Sequence, residues 1–119
     1  MTEYRMFVRR NKKHQPRGIL VANRNSLGQI VIGWSYVNKK AGDRFNKLRS
    51  LCIARARIEV GTDKIIPHEV MHCVRRFRNE VLRHAYDLDR ELLHVAGNTG
   101  FIELGGIPIV EDRGVVNSD

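Results

Sequence analysis

Gly18–Val37 reads GILVANR-NSLG-QIVIGWSYV, two β-branched and aromatic runs on either side of a four-residue loop that ends in glycine. That composition predicts a β-hairpin with arms at 18–24 and 29–37 around the loop Asn25–Gly28. Alternation in the second arm sets Ile30, Ile32 and Trp34 on one face, with Val31 and Gly33 on the other. Tyr36 shares the parity of Trp34, so this face is expected to be the core. Left open, it would instead be a platform on which single-stranded bases stack, with Tyr4 and Phe7 as further aromatics. Upstream, Tyr4–Val8 reads as a short strand. Between it and the hairpin lies Arg9–Arg17 (RRNKKHQPR), a cationic arm broken by Pro16.

Downstream, Asn38–Gly42 is a basic turn. Asp43 is placed to N-cap a helix over 44–60, with Gly61 as its C-terminal stop. Phe45, Leu48, Cys52 and Ala56 form one stripe of this helix and Leu51, Ala54 and Ile58 the far side, so it is expected to be covered on both. Pro67 opens a second helical region. Its apolar residues step through Val70, Val74, Phe77 and Val81, and continue through His84, Leu88 and Leu92 to Val95. Either one helix runs over 67–96, long enough to form a homodimer through Pro67–Val95, or two helices meet near Asp87–Asp89, the simpler reading. FIEL-GG-IPIV (Phe101–Val110) predicts a C-terminal β appendage over 99–111 turning at Gly105–Gly106, and Glu111–Asp119 is expected to fray. The expected fold is a single α+β domain over 1–119. It has an antiparallel sheet of about three strands, with two or three helices packed on one face and a short C-terminal β-hairpin.

Charge is distributed unevenly along the chain. Residues 1–57 hold fourteen Lys/Arg against two acids, while 58–119 hold seven against eleven; the whole carries +8. Such self-repulsion in one half predicts an acidic partner, most commonly a phosphate backbone. Candidate contacts are Arg9, Arg10, Lys12, Lys13 and Arg17 in the arm. Lys39, Lys40, Arg44 and Lys47 gather at the first helix, whose N-terminus adds free N–H donors. Arg49, Arg55 and Arg57 extend the charge along that helix, and Arg75 and Arg76, with Arg78 and Arg83, add a second patch. The ordinary balance of 42% hydrophobic and 29% charged residues argues for a folded chain rather than a disordered one. No apolar run approaches the roughly 20 residues of a membrane span, and no secretory h-region is present, so a cytoplasmic, non-membrane protein is expected. Two cysteines, Cys52 and Cys73, read as buried thiols in a reducing compartment.

His68-Glu69-Val70-Met71-His72 matches H-E-x-x-H, in which two histidines one turn apart ligate zinc and the glutamate acts as general base. The context opposes it. Both histidines lie opposite the apolar stripe, where no dry cavity can form behind a metal, and Arg75 and Arg76 sit within a turn. A zinc metallohydrolase is therefore the third reading, and His68 and His72 are weak metal candidates. His84 lies on the apolar stripe, His14 in the arm, and His94 beside no evident partner. Neither a G-x-S-x-G elbow nor a P-loop occurs, so neither a cofactor nor an enzyme activity is expected.

Gly33-Trp34-Ser35, Asn38-Lys39-Lys40, Asp43-Arg44-Phe45 and Ala54-Arg55-Ala56 together resemble a group of small early-type proteins encoded by tailed bacteriophages. The resemblance covers Gly18–Ala56, about a third of the chain. It implies a viral protein acting in a bacterial cytoplasm and brings no activity with it. Two functions follow as expectations: non-specific binding of nucleic-acid phosphates through the N-terminal half, or binding and modulation of an acidic host protein by the same cations.

Overall fold

The computed structural model describes residues 3–9, 13, 15–37, 44–84, 93–98 and 100–105. Among them run β1 (Tyr4–Val8), β2 (Gly18–Arg24), β3 (Ile30–Tyr36), α1 (Lys47–Val60), α2 (His68–His84), β4 (Leu93–Gly97) and β5 (Gly100–Gly105). The fold is α+β. Its sheet has five strands in the order β1-β2-β3-β4-β5, not three, and it is mixed rather than antiparallel. β3 and β4 are parallel, and the other neighbours are antiparallel. A parallel pair needs a long crossover, and here both helices lie within it.

Asn25 organises the turn between β2 and β3. Its Oδ1 accepts the N–H groups of Leu27 (3.0 Å) and Gln29 (2.9 Å), and Gly28 supplies the left-handed residue at φ +81°. Both faces of this hairpin are buried. Ile19, Val21 and Val31 pack against Leu51, Ala54 and Ile58 of α1. Leu20, Ala22, Ile30, Ile32 and Trp34 pack against Val70, Val74, Phe77 and Val81 of α2. The helices therefore cover opposite faces of the sheet, which corrects the expectation that they share one. Strands covered on both sides read as unbroken apolar runs, and GILVA and IVIGW are such runs.

α1 begins at Lys47, not Arg44, because Asn46 is its N-cap: the side-chain oxygen accepts the N–H of Arg49 at 3.0 Å. Asp43 lies outside the described residues. At the other end Gly61, at φ +70°, donates its N–H to the carbonyl of Arg57 at 2.8 Å. The buried face of α1 is Ser50, Leu51, Ala54 and Ile58. The stripe through Leu48 and Cys52 faces outward, with Leu48 at 74% exposure, so the expected double cover is absent among the described residues. Backbone proximity decides this orientation. A Cβ built on Gly33 would lie 2.0 Å from the Ala54 carbonyl oxygen, so α1 rests directly on the one side-chain-free position of β3. Cys73 is buried, whereas Cys52 is exposed, contrary to expectation; both are free thiols.

α2 ends at His84, and Leu93–Gly97 is a strand, so neither a single helix nor a helix pair fills 67–96. Leu93 and Val95 satisfy a helical step and a strand alternation equally; pairing with Ile30 and Ile32 of β3 decides for the strand. The overhanging helix proposed to form a homodimer is thus not present, and the apolar stripe of α2 is spent on the core. A hairpin turns between Gly97 and Gly100, and β5 pairs with β4 as a member of the sheet; the expected turn at Gly105–Gly106 and the run beyond it extend outside the described residues. Residues 85–92 and 106–119 lie outside the described residues. Among those described, no helix is long and apolar enough to cross a membrane.

Candidate nucleic-acid interface

Residues at odd positions of β1 face α1, because Arg5 pairs with Val21 and Phe7 with Ile19, both in the α1-side core. Glu3, Arg5, Phe7 and Arg9 thus line one side of an edge strand. At the Arg9 end, Phe7 and Phe45 meet edge to face with centroids 6.0 Å apart. The Arg9 guanidinium lies 5.6 Å from the Phe7 centroid and the Lys47 ammonium 5.8 Å from the same ring. Two cations therefore share one aromatic quadrupole, which offsets part of their mutual repulsion. Among the described residues neither has a carboxylate partner.

Chain connectivity adds to this end. Arg17 donates its backbone N–H to Val8 (2.8 Å) and accepts that of Val37 (2.8 Å), so the ends of β1 and β3 and the start of β2 meet there. The Arg17 Nε is enclosed and has no hydrogen-bond partner among the described residues. Arg44 is exposed just ahead of Phe45, and Arg49 is exposed on α1. Of the predicted contacts, Arg9 and Lys47 meet on Phe7; the Arg17 backbone joins the same strand end, and Arg44 precedes Phe45 in sequence. Lys13 is described and exposed. Arg10, Lys12, Lys39 and Lys40 lie outside the described residues. Arg75 and Arg76 are exposed on α2, across the sheet, and do not join this cluster. Arg78 is buried and donates to Asn79 Oδ1 at 3.3 Å.

At the far end of β1, one carboxylate holds two guanidinium groups. Glu3 Oε1 accepts from Arg5 Nε and Arg55 Nη2, and Oε2 accepts from Arg55 Nε, each at 2.8 Å. The Arg55 hydrogen bonds, followed by that of Arg5, hold the Glu3 carboxyl down at about 2 against the opposing cost of desolvation. Glu3, Arg5 and Phe45 were not candidates from the sequence. The period-two run Glu3-Arg5-Phe7-Arg9 was the available signal for the first two.

The aromatic platform is absent. Trp34 is 3% exposed, and its Nε1 donates to the Ala96 carbonyl at 2.6 Å. The Arg57 guanidinium lies 4.2 Å over the indole and donates to the Trp34 carbonyl at 2.8 Å. Burial lowers the Arg57 pKa, and the charge of Asp63 acts in the opposite sense. Arg57 is thus committed to the interior. His68 and His72 are exposed on the outer side of α2 with ring centroids 6.4 Å apart. Among the described residues no third His, Cys, Asp or Glu joins them in a group able to hold a metal. No protein-family model, curated protein or solved structure matches this chain.

Proposed function

We propose that this is a small basic accessory protein that binds nucleic-acid phosphates without sequence preference, through the seam between β1 and the N-terminal end of α1. One observation carries the reading: Arg9 and Lys47 are held against a single phenylalanine ring with no carboxylate among the described residues to neutralise them. A buried core does not need that arrangement, whereas an anion entering the seam relieves the repulsion and meets donors already in place. The exposed Arg44, just ahead of Phe45, adds to the same demand. The resemblance to phage early-type proteins makes a bacterial cytoplasm the setting we favour.

Fluorescence anisotropy with a labelled 20-nucleotide deoxythymidine oligomer tests this. Three phosphate contacts, at ~0.7 in the log–log salt slope per contact on single strands, give a slope of about −2. That corresponds to roughly a twentyfold loss of affinity between 50 and 200 mM salt. The triple variant R9E/R44E/K47E should lose binding at 50 mM. Binding indifferent to salt, or unchanged in the triple variant, would remove the proposal.

A second reading has one observation in its favour. The anion that the structure shows on this face is a carboxylate, Glu3, so an acidic host protein could be gripped by the same cations. A pull-down from nuclease-treated bacterial lysate separates the two. Recovery of one stoichiometric acidic protein, lost in the same triple variant, favours the second.

A further inference from the structure

Glu3 is seated as a ligand would be. The Nε and Nη2 of Arg55 present the planar fork that guanidinium uses for carboxylate and phosphate alike, and Arg5 closes on one of the same oxygens. The two guanidinium side chains are reachable from solvent, Arg5 at 42% and Arg55 at 47% exposure, while the Glu3 carboxylate between them is 19% exposed. We propose that Arg5 and Arg55 form a second phosphate subsite on the seam, which the protein's own Glu3 carboxylate fills until a nucleic-acid phosphate displaces it.

Two spans support a shared track. Lys47 meets Phe7 and Arg55 meets Glu3, so α1 runs alongside β1 in the opposite direction. From Lys47 to Arg55 is eight helical steps, about 12 Å at 1.5 Å per residue. From Arg9 to Arg5 is four strand steps, about 13 Å at 3.3 Å per residue. The Arg9–Lys47 pole, centred on Phe7, and the Arg5–Arg55 pole are therefore similarly spaced along β1 and along α1, at two ends of one seam. A strand already held at the first pole presents its next phosphates to the second at high effective concentration. Arg5 and Arg55 are each more than two-fifths exposed, so an arriving phosphate reaches the guanidinium groups before the carboxylate has to leave.

Protons do not open this site under ordinary conditions. The carboxyl is held below its usual 4.5, so its contribution is complete above that value and is lost only as pH falls through about 2. A competing anion is what remains.

The inference rests on the phosphate-binding reading, and the experiment separates their failures. Salt series with the deoxythymidine oligomer are run on the wild type, E3Q, R55Q and E103Q; Glu103 is an exposed acid on β5, at the opposite sheet edge. Freed of its internal anion, E3Q should bind several-fold more tightly than the wild type, with a slope steeper by ~0.7, one further phosphate contact. R55Q should bind more weakly, and E103Q, with the same change in net charge, should keep the wild-type slope. An E3Q no tighter than E103Q overturns the inference while wild-type binding leaves the broader reading standing. An E3Q gain that persists in the R5Q/R55Q background also overturns it. No binding by wild type and E3Q alike removes both. Poly-L-glutamate that gains in E3Q while the oligomer does not would assign the fork to carboxylates instead. Circular dichroism and urea unfolding of E3Q and R55Q verify that β1 stays docked, and titration of wild type with pyrophosphate gives a readout without mutation. Movement of the Arg55 Nε–Hε resonance supports the site, and its invariance overturns it.

Discussion

Gly33→Ala adds one methyl group at the point where α1 meets the sheet. The new Cβ would lie 2.0 Å from the Ala54 carbonyl oxygen and 2.8 Å from Ile58 Cγ1. Side chains do not approach a backbone oxygen so closely, so α1 must move out by an ångström or more. Leu51, Ala54 and Ile58 ride on the same rigid helix, and lifting it loosens their contacts with Ile19, Val21 and Val31. Overpacking of this kind costs about 1–3 kcal/mol, and the reduced freedom of the unfolded chain returns about 0.4–1 of that. We expect a net loss of about 1–2 kcal/mol, a Tm lower by roughly 4–10 °C for a chain of this size. Urea unfolding should show a lower midpoint with an unchanged slope. The clash is with main chain, so trimming the helix with Ala54→Gly should not rescue it. A Gly33→Ala protein that melts within 2 °C of the wild type, or one that Ala54→Gly restores, would refute the reasoning.

Asn46→Ala removes the acceptor for the Arg49 N–H and should cost ~1 kcal/mol in urea unfolding, with Asn46→Asp close to the wild type. Cys52 is exposed and Cys73 buried, with burial raising the Cys73 thiol pKa. A disulfide reagent should therefore titrate one thiol quickly in the native protein and the second only on unfolding. Trp34 should emit at short wavelength, resist iodide quenching, and stay unchanged when the oligomer binds, since its ring is enclosed by Ala96 and Arg57.

The central hairpin was legible because its signals are local: an Asn-led turn ending in Gly28, flanked by runs of strand-forming residues. Its two-sided burial was also written in the sequence, since GILVA leaves no polar position for a solvent face. What misled was periodicity where two periods coincide. Leu88, Leu92 and Val95 continue the helical step of α2, while Leu93, Val95 and Gly97 alternate as a strand, and only the partner Ile30–Ile32 decides between them. Likewise Ala96-Gly97-Asn98-Thr99-Gly100 carries a turn signal that is recognised only once β5 is seen to pair with β4. For α1, helical periodicity offered two apolar faces, and a single backbone approach at Gly33 picked the one that carries Ala54. Of the interface, the identity of the cations was legible. Their sharing of Phe7 and the capture of Arg55 by Glu3 join residues far apart in sequence, and neither could be read from spacing.

The connectivity explains why a bias along the chain becomes a bias in space. β1, β2, β3 and α1 are contiguous in sequence, and α1 lies on one face. α2 follows and must take the other. The described residues up to Val60 therefore build the α1 layer and the edge strand beside it, and those from Gly61 to Gly105 build the α2 layer and the opposite edge. Arg75 and Arg76 share their helix with Glu69 and Glu80, so that layer is mixed in charge. On the α1 layer Glu3 is the only acid that reaches the β1 seam among the described residues, and it is tied to two arginines; Glu59 instead accepts the Ser26 N–H at the far end of the helix. An anionic polymer approaching this molecule thus meets one layer where each added phosphate finds a guanidinium or ammonium, and another where attraction and repulsion nearly cancel. Reversing Arg75 and Arg76 should accordingly leave oligomer affinity within about twofold of wild type, the change expected from screened long-range charge alone. A loss comparable to that of R9E/R44E/K47E would move the binding face to α2.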